Sequence, residues 1–449
     1  MNYKELADLI FPNVKEISYY EEKYPKRNLK EGAMVVRVAP SPTGNVHIGT
    51  IYQAFLNKKL AKQTDGVFFV RVEDTDQKRE VENGINQIIE TLNKFDLAPD
   101  EGMTSETESK GVYGPYRQSL RKDIYESYAK YMLAQGKAYP SFESQEELDE
   151  MRKKQEAAKV RTGYYGVWAT SRNLSVDEAA EKIKTGVPYI IRFKSTGRED
   201  RKIKHKDVIK GNVEFPENDQ DIVIIKADGL PTYHFAHAID DHLMGTTHVL
   251  RGDEWLSSVP LHLQLFQELG FKPPKYAHTP TLLKNDNGAK RKISKRKDPE
   301  AAAAYYEEAG IPSDAVKEYL LNIANSTFEN WRRANPDKPI DEFDFQLNKM
   351  SVSGALFDMV KLLDVSKNVI SKYSAEKVYD ESLKWAIKFD AELAELLKDK
   401  EYALQVLGIE RGNVKPRKDI SKWSDLKDNI IYMYEDEFNK ITNFEYAKI

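Results

Sequence analysis

Residues 33–62 read AMVVRVAPSPTGNVHIGTIYQAFLNKKLAK, and the fold is decided there. Residues 34–38 are an apolar, β-branched run suited to a buried strand, which Pro40 and Pro42 stop. Ile48, Ile51, Phe55, Leu56 and Leu60 then recur at helical spacing. Thr64, Asp65 and Gly66 end that pattern, and VFFVRV restarts a strand. Strand, helix and strand in this order make a βαβ unit. The turn after its first strand falls at the carboxyl edge of a parallel sheet, where a helix N-terminus offers unpaired amides to an anion such as a nucleotide phosphate.

The turn holds neither GxGxxG nor GxxxxGK, so it is neither a dinucleotide fingerprint nor a P-loop; it reads PSPTGNVHIGT. Outward from it, VFFVRV runs into Glu73, Asp74, Thr75 and Asp76, which puts carboxylates at the same sheet edge. Thr75 and Asp76 also suit the cap of an amphipathic run through Val81, Ile85, Ile88, Ile89 and Leu92. Arg37, Ala39 and Ser41 are spaced by two and share one side of an extended segment.

These residues resemble the class I aminoacyl-tRNA synthetases, whose signature near the first strand is HIGH, and RVAPSPTGNVHIGT is similar to their glutamyl branch. His47 and Gly49 match the signature, and Thr50 stands at its second His. The resemblance implies an ATP site at His47, Gly49 and Thr50. It implies amino-acid contacts from Arg37, Ala39, Ser41 and Glu73, with Glu73 on the substrate amino group.

A chain of 449 residues has room for two to four domains, and its 40% apolar content can bury real cores. A net charge of -4 gives no bulk attraction to nucleic acid, so RNA contacts must come from local basic patches. The absence of cysteine excludes disulfides and thiolate metal sites and is compatible with a reducing cytosol. The first residues hold no signal peptide, and no later stretch reads as a membrane span, so a soluble cytoplasmic protein is expected. Residues 1–32, with a short amphipathic stretch at 6–11, read as an extension packed against the catalytic core.

Residues 113–215 change character: a charged helix within GPYRQSLRKDIYESYAKYMLAQGKAYPSF, then the strand candidates YIIRF and DVIKGNVEF. This is an insertion between two halves of a nucleotide-binding sheet. By the resemblance it grips the tRNA acceptor end. Many bacterial members carry a cysteine-rich zinc site just after the AY dipeptide; here the stretch is PSFESQEE, without a thiol, and no zinc is expected.

The sheet is expected to resume with a strand at 222–225, a turn at Asp228 and Gly229, a helix at 232–241 and a strand at 246–250, a second βαβ unit. His234, His237, His242 and His248 match no metal-binding spacing. The stretch resembles PTYHxAxxxDDHxMxxTHVxRGxEW of the glutamyl branch, which implies that Tyr233, His237, Arg251 and Trp255 face the amino-acid pocket. His237 stands where that pattern has Asn. Arg251 also has a physical case: a guanidinium at a strand's carboxyl end can hold a side-chain carboxylate by a bidentate pair, which favours glutamate over glutamine.

Beyond the amphipathic SVPLHLQLFQELG, Asn287 and Gly288 make a turn, and basic residues crowd positions 290–297 around Ile293 and Ser294. Read alone, such a run is a solvated loop or a generic nucleic-acid patch. KISKR nevertheless resembles the second class I signature, commonly KLSKR in the glutamyl branch. The likeness implies that Lys292 and Lys295, with Ser294, hold the ATP triphosphate. Pro299 and Gly310 frame a helix over EAAAAYYEEA, and the remainder is helical in pattern. Residues 353–371 resemble the region leading to the anticodon-binding end, and Trp385, Phe389, Leu393, Leu396 and Leu397 continue an amphipathic face. A last helix candidate uses Trp423, Leu426, Ile430, Met433 and Phe438 before ITNFEYAKI, and a distal module shorter than the family's is expected.

The expected architecture is α/β: a class I synthetase Rossmann-like parallel sheet split by an α+β insertion and followed by an all-α C-terminal region. Its expected parts are an extension (1–32), the first half of the catalytic fold (33–112), an acceptor-binding insertion (113–215), the second half (216–285), a signature loop with a stem-contact helical region (286–370) and an anticodon-binding region (371–449). The resemblance implies a monomer that activates L-glutamate with ATP and Mg2+ to glutamyl-adenylate and transfers it to the 3′ end of tRNA(Glu), with tRNA(Gln) left open. His47, Lys292 and Lys295 are the expected catalytic residues. The attacking carboxylate is already ionised near neutral pH, so catalysis reduces to positioning and to neutralising phosphate charge. A glutaminyl enzyme is opposed by RGDEW and PTYHFA. A tRNA-modifying paralogue would lack the long helical end, and intact His47, Lys292 and Lys295 oppose an inactive tRNA-binding relative.

Overall fold

The apolar run around residue 36 forms the strand Val35–Val38, buried throughout, and pairs in parallel with Val67–Val70 in the register Val35↔Val67 to Val38↔Val70. Burial of both faces explains why these strands read as continuous apolar runs rather than alternating ones. The helix Ile48–Gln63 connects them. It ends where Asp65 takes a positive φ of 51° and the Gly66 amide bonds Ala61 O at 2.9 Å. Gly66 passes so close to the first strand that a Cβ there would meet Met34 O at 2.0 Å, so only glycine fits. Val67–Val70 pairs in parallel with Glu101–Met103, and Ser109–Lys110 closes the sheet in antiparallel fashion. These coordinates are a computed structural model describing residues 1–76 and 78–440.

Two compact units divide the chain. One comprises Met1–Gly44, Leu60–Asn86 and Pro99–Thr279; the other comprises Asn45–Lys59, Gln87–Ala98 and Pro280–Ile449.

In the first unit a second parallel pair, His248–Gly252 with Lys275–Thr279, is joined through the helix Val259–Leu269. The Thr247 amide bonds Val35 O at 3.0 Å, which brings this pair alongside the first strand. This corrects the expected second βαβ unit. Val223–Ile225 instead pairs antiparallel with Ile190–Phe193, which pairs antiparallel with Ala138–Ser141. The cause lies two residues upstream: buried Asp221 accepts from Tyr139 Oη (2.6 Å), Arg172 Nη1 (2.5 Å) and the Ser195 amide (2.8 Å), which ties the strand into the insertion. The insertion also carries the hairpin Lys202–Asp207 and Gly211–Pro216. Its helices Gln145–Ala157 and Val176–Lys184 start with capping boxes, Ser144 with Glu147 and Ser175 with Glu178.

The run from Thr75 to Leu92 is a second correction. Its helix is Gly84–Lys94 only, and Thr75 and Asp76 do not cap it. The intervening backbone is engaged elsewhere: the Glu73 amide bonds Pro40 O and the Val81 amide bonds Pro42 O, both at 3.0 Å. Two strands of loop thus brace each other at the carboxyl edge of the sheet.

The N-terminal helix Tyr3–Ile10 opens with the capping box Asn2 with Glu5 and packs Leu6 against Ala179 and Ala180. Further along, Tyr24 Oη donates to Gly114 O at 2.8 Å. Arg27 makes a bidentate pair with Glu101 at 2.8 Å on each arm, donates to Met244 O at 2.8 Å, and lies 3.9 Å from the Tyr113 ring centre.

In the second unit, Asn287 and Gly288 (φ 52° and 89°) turn the hairpin Leu282–Asp286 and Ala289–Lys292. Leu282–Asp286 also pairs in parallel with Ala355–Leu356. The helix expected over 300–309 is shorter, Ala304–Ala309 after a 3₁₀ turn at Pro299–Ala301. Ala302 instead bridges to His47, and the Ala303 amide bonds Val46 O at 2.9 Å, so this backbone is not available to a helix. The distal helices pack Val378, Trp385, Leu393, Leu407, Trp423 and Leu426 into one core. The last expected helix is broken into Trp423–Asp425, Leu426–Ile430, Ile431–Met433 and Glu435–Phe438, with Tyr402 Oη capping Met433 O; ITNFEYAKI lies outside the described residues. Among the described residues, no helix is long and apolar enough to cross a membrane.

The Arg27 contacts make the extension part of the folded first unit. Arg27→Ala should therefore destabilise that unit by about 3 kcal/mol, because it strands a half-buried Glu101 carboxylate. The measurement is unfolding in urea, and a change below about 0.5 kcal/mol would show that the Arg27 contacts contribute nothing to stability.

Candidate active site

A buried charge network lies beneath the carboxyl edge of the parallel strands. Arg37, on the first strand, reaches both oxygens of Asp241 at 3.2 Å. Arg71, just past the second strand, donates to Asp241 Oδ1 at 2.7 Å and to Glu73 Oε1 at 3.3 Å, and its Nε lies 3.6 Å from Asp240. Asp240 also accepts from Arg121 (2.7 Å), Gln118 (2.9 Å) and Tyr125 (2.8 Å). Asp240 and Asp241 come from the helix Tyr233–Leu243, so the network ties that helix to two strands.

Burial alone would raise the Asp241 carboxyl, but Arg37, Arg71 and His237 hold it well below the ordinary range. Glu73 goes the other way. Burial pushes it up to about 7 in spite of Arg71 and Arg37. His237 is fully buried: its Nδ1 lies 2.8 Å from Asp241 and its Nε2 lies 2.9 Å from Tyr276 Oη. Burial lowers its pKa to about 3, so the neutral ring donates from Nδ1 to the carboxylate and accepts from the phenol. His237 is thus held by Asp241 and Tyr276 within the core, with the Tyr233 ring stacked on it at 5.8 Å.

Above this layer, Tyr233 and Trp255 pack at 4.3 Å between ring centres. Arg251, buried on the strand His248–Gly252, donates to His278 Nε2 (3.0 Å), Tyr233 Oη (3.3 Å), Trp255 O (3.3 Å) and His262 Nδ1 (3.1 Å). All four are neutral acceptors; burial keeps the pKa of His262 well below its usual value and lowers that of His278. Among the described residues no carboxylate pairs with Arg251 directly. Ala39 is half-buried and Ser41 exposed, so the segment from Arg37 to Ser41 climbs from core to surface. A buried cation with only neutral partners, in the same unit as a carboxyl poised near neutrality, suits an amino acid with an anionic side chain.

The signature residues His47, Gly49, Thr50, Lys292, Ser294 and Lys295 lie in the second unit. His47 Nδ1 accepts the Gly49 amide at 2.9 Å, which leaves the ring proton of the neutral form on Nε2. A Cβ at Gly49 would stand 3.0 Å from that same nitrogen, so glycine is what lets the ring close over the helix start. Lys295 is exposed and donates to Asn45 O at 2.5 Å, while Lys292 is exposed at the end of its hairpin strand. The Ser294 amide donates to Asp298 at 3.0 Å. Asp298 is clasped by Arg291 at 2.6 and 2.8 Å, which lowers its carboxyl far below the usual range. The basic run is therefore not uniform: Arg291 is spent on structure, and Lys292 and Lys295 face solvent. Among the described residues no group of three or more His, Cys, Asp or Glu is placed to hold a metal ion.

Sequence reasoning did not single out Arg71, Asp240, Asp241, His262, Tyr276 or His278. A signal existed for three of them: Arg71 precedes Glu73 by two, hence shares its side of the strand, and Asp240 and Asp241 form an acidic dipeptide on an otherwise apolar helix. For the rest there was none.

Residues 33–364 match the family model for the catalytic domain of class I tRNA synthetases (E and Q). The chain is 54% identical over 442 residues to the glutamate–tRNA ligase of Clostridium beijerinckii, covering 98% of this chain and 80% of that protein. It is 50% identical over 441 residues to the corresponding ligase of Acetivibrio thermocellus, covering 98% and 81%. A crystal structure of a glutamate tRNA ligase from Elizabethkingia meningosepticum, in complex with its amino acid, superposes with a TM-score of 0.74 at 32% identity, covering 88% of this chain and 79% of that one. With both signatures present and a model match over most of its length, the chain belongs to the class I tRNA synthetases of the glutamyl and glutaminyl kind.

Proposed function

We propose that this protein is a glutamate–tRNA ligase, and the observation that carries the reading is Arg251, a buried guanidinium whose direct partners are all neutral. Desolvation makes such a cation seek an anion, which the side-chain carboxylate of glutamate supplies and the amide of glutamine does not. Glu73, with Arg37 and Arg71 behind it, takes the α-ammonium group, while Ala39 and Ser41 line the approach. Tyr233 and Trp255 wall the pocket.

ATP is the second substrate and brings Mg2+ with it. A glutamate α-carboxylate oxygen forms the bond to the α-phosphorus as the bond from that phosphorus to the bridging oxygen breaks, and pyrophosphate leaves with its charge held by Lys292 and Lys295. His47, donating from Nε2, Gly49, Thr50 and Ser294 complete the proposed nucleotide contacts. The terminal ribose hydroxyl of tRNA(Glu) then attacks the carbonyl carbon of the adenylate and AMP departs. The proposed setting is the cytoplasm, with the enzyme acting as a monomer, and charging tRNA(Gln) beside tRNA(Glu) reads which tRNAs it accepts.

Three measurements of glutamate-dependent pyrophosphate exchange, run with tRNA present, test this. Lys295→Ala should lower exchange at least about a hundredfold while tRNA binding stays near normal, and wild-type exchange would remove Lys295 from the chemistry. Arg251→Ala should lower kcat/KM about a hundredfold for glutamate and much less for glutamine; equal losses would make the residue structural. Finally, the acid limb of kcat/KM for glutamate should have an apparent pKa near that of Glu73, about 7. The ionised carboxylate binds the ammonium group, so the rate falls about tenfold for each pH unit below the limb and is level above it. His237, His234 and His262 are already neutral throughout this range and do not contribute. Glu73→Gln should lose the limb; a limb that persists would belong to another group.

A further inference from the structure

The partners of Arg251 form a chain in which each link fixes the next. Arginine only donates, so the 3.0 Å contact of its Nε with His278 Nε2 requires that nitrogen to be bare. In the neutral ring the proton is then on Nδ1, which lies 2.6 Å from Asp207 Oδ2. Asp207 closes the hairpin strand Lys202–Asp207, and every group facing its carboxylate is a donor. These are the amides of Ile209 (2.9 Å), Lys210 (2.8 Å) and His278 (3.2 Å), together with the imidazole Nδ1. Backbone donors cannot change sides. They fix the carboxylate, the carboxylate fixes the tautomer, and the tautomer fixes the lone pair that Arg251 Nε meets. On the other side His262 Nδ1 accepts from Arg251 Nη2, which leaves His262 Nε2–H to donate to His234 Nδ1 at 2.9 Å.

We propose that Asp207 and His278 are positioning residues that set the amino-acid specificity of Arg251. They hold the guanidinium through a neutral imidazole and leave its direct counter-charge to the carboxylate of the substrate side chain. The proposal rests on Arg251 being the ligand of that side chain. A carboxylate paired directly with Arg251 would meet the same hydrogen-bonding need, but it would neutralise the cation that the substrate has to find. Placing the imidazole between them moves the negative charge one ring away. Glutamate then restores charge balance in the pocket, and glutamine leaves the cation unpaired.

Asp207→Asn tests this. The variant side chain keeps one acceptor oxygen, which the amides of Ile209 and Lys210 claim, so its NH2 group faces the ring. The imidazole must turn its lone pair to Nδ1 and its proton to Nε2, where donor meets donor at Arg251. The expected result is a rise in KM for glutamate of about twentyfold and a weakened preference for glutamate over glutamine, the cost of one buried donor facing another. The KM for ATP should be unchanged and kcat should stay within about threefold of wild type. Adding His278→Gln should bring the KM back to within about threefold, because a carboxamide can turn its oxygen toward Arg251 whatever stands behind it. An unchanged KM in Asp207→Asn, or a loss that His278→Gln does not restore, overturns the proposal; the second outcome would mean that Asp207 acts through its turn alone.

Nitrogen-15 NMR of the wild-type protein labelled at histidine, with His278→Gln to assign the resonance, reads the tautomer without needing Asp207→Asn to fold. A proton on Nδ1 supports the chain, and a proton on Nε2 overturns it. Arg251→Ala measured in parallel separates the two levels. No change in glutamate KM there overturns the reading of Arg251 and this proposal with it, while a large change there beside none in Asp207→Asn overturns the positioning role alone.

Discussion

Three arginines and two aspartates, all buried, share one set of hydrogen bonds beneath the sheet edge: Arg37, Arg71 and Arg121 with Asp240 and Asp241. Ions removed from water are tolerated only when each is paired and hydrogen-bonded, so no member can be deleted without leaving a neighbour uncompensated. The network therefore imposes geometry as much as it adds stability. It fixes the helix Tyr233–Leu243 against two strands, and by doing so it sets the height of His237, which carries Tyr233. Glu73 is attached through Arg71. Burial raises its carboxyl to about 7, whereas Arg37, Arg71 and His237 hold Asp241 well below the ordinary range.

Arg251 follows the opposite rule. The arginines of the network meet carboxylates, whereas Arg251 meets imidazoles, a phenol and a carbonyl. The same residue type is thereby placed in two settings by its partners: the network arginines have their charge answered within the protein, and Arg251 has no direct anion. The contrast recurs in the basic run of the second unit, where Arg291 is clasped by Asp298 while Lys292 is exposed and Lys295 donates to a carbonyl, Asn45 O.

Much of this was legible in the sequence. The strand–helix–strand start is a matter of apolar period and punctuation, and the parallel pair with its connecting helix is as residues 33–72 suggest. Capping boxes and the Asn287–Gly288 turn are likewise local chemistry that the chain states outright. The errors share one cause. Thr75 and Asp76 looked like a cap, 222–225 looked like a strand of the parallel sheet, and 300–309 looked like one helix. Each was redirected by a long-range partner, namely Pro42, the insertion around Asp221, and Val46 with His47. The charge network escaped notice for the same reason. A buried arginine is identifiable only when the carboxylate it meets is known, and Asp241 lies far along the chain from Arg37. His237 shows the limit from another side. The sequence identified a departure from the expected Asn, but only the bonds to Asp241 and Tyr276 reveal a neutral donor and acceptor at that place.

The backbone bridge from His47 to Ala302, with Val46 O on the Ala303 amide, carries a consequence for biosynthesis. Its two sides are separated by about 255 residues, a loop that must be closed before the contact repays its entropy. A ribosome adding about 5–20 residues per second leaves the first side waiting for tens of seconds before the second has been made. The first signature thus emerges well before the backbone with which it pairs. During that interval the backbone at Val46 and His47 goes without the bonds to Ala302 and Ala303 that the folded chain gives it.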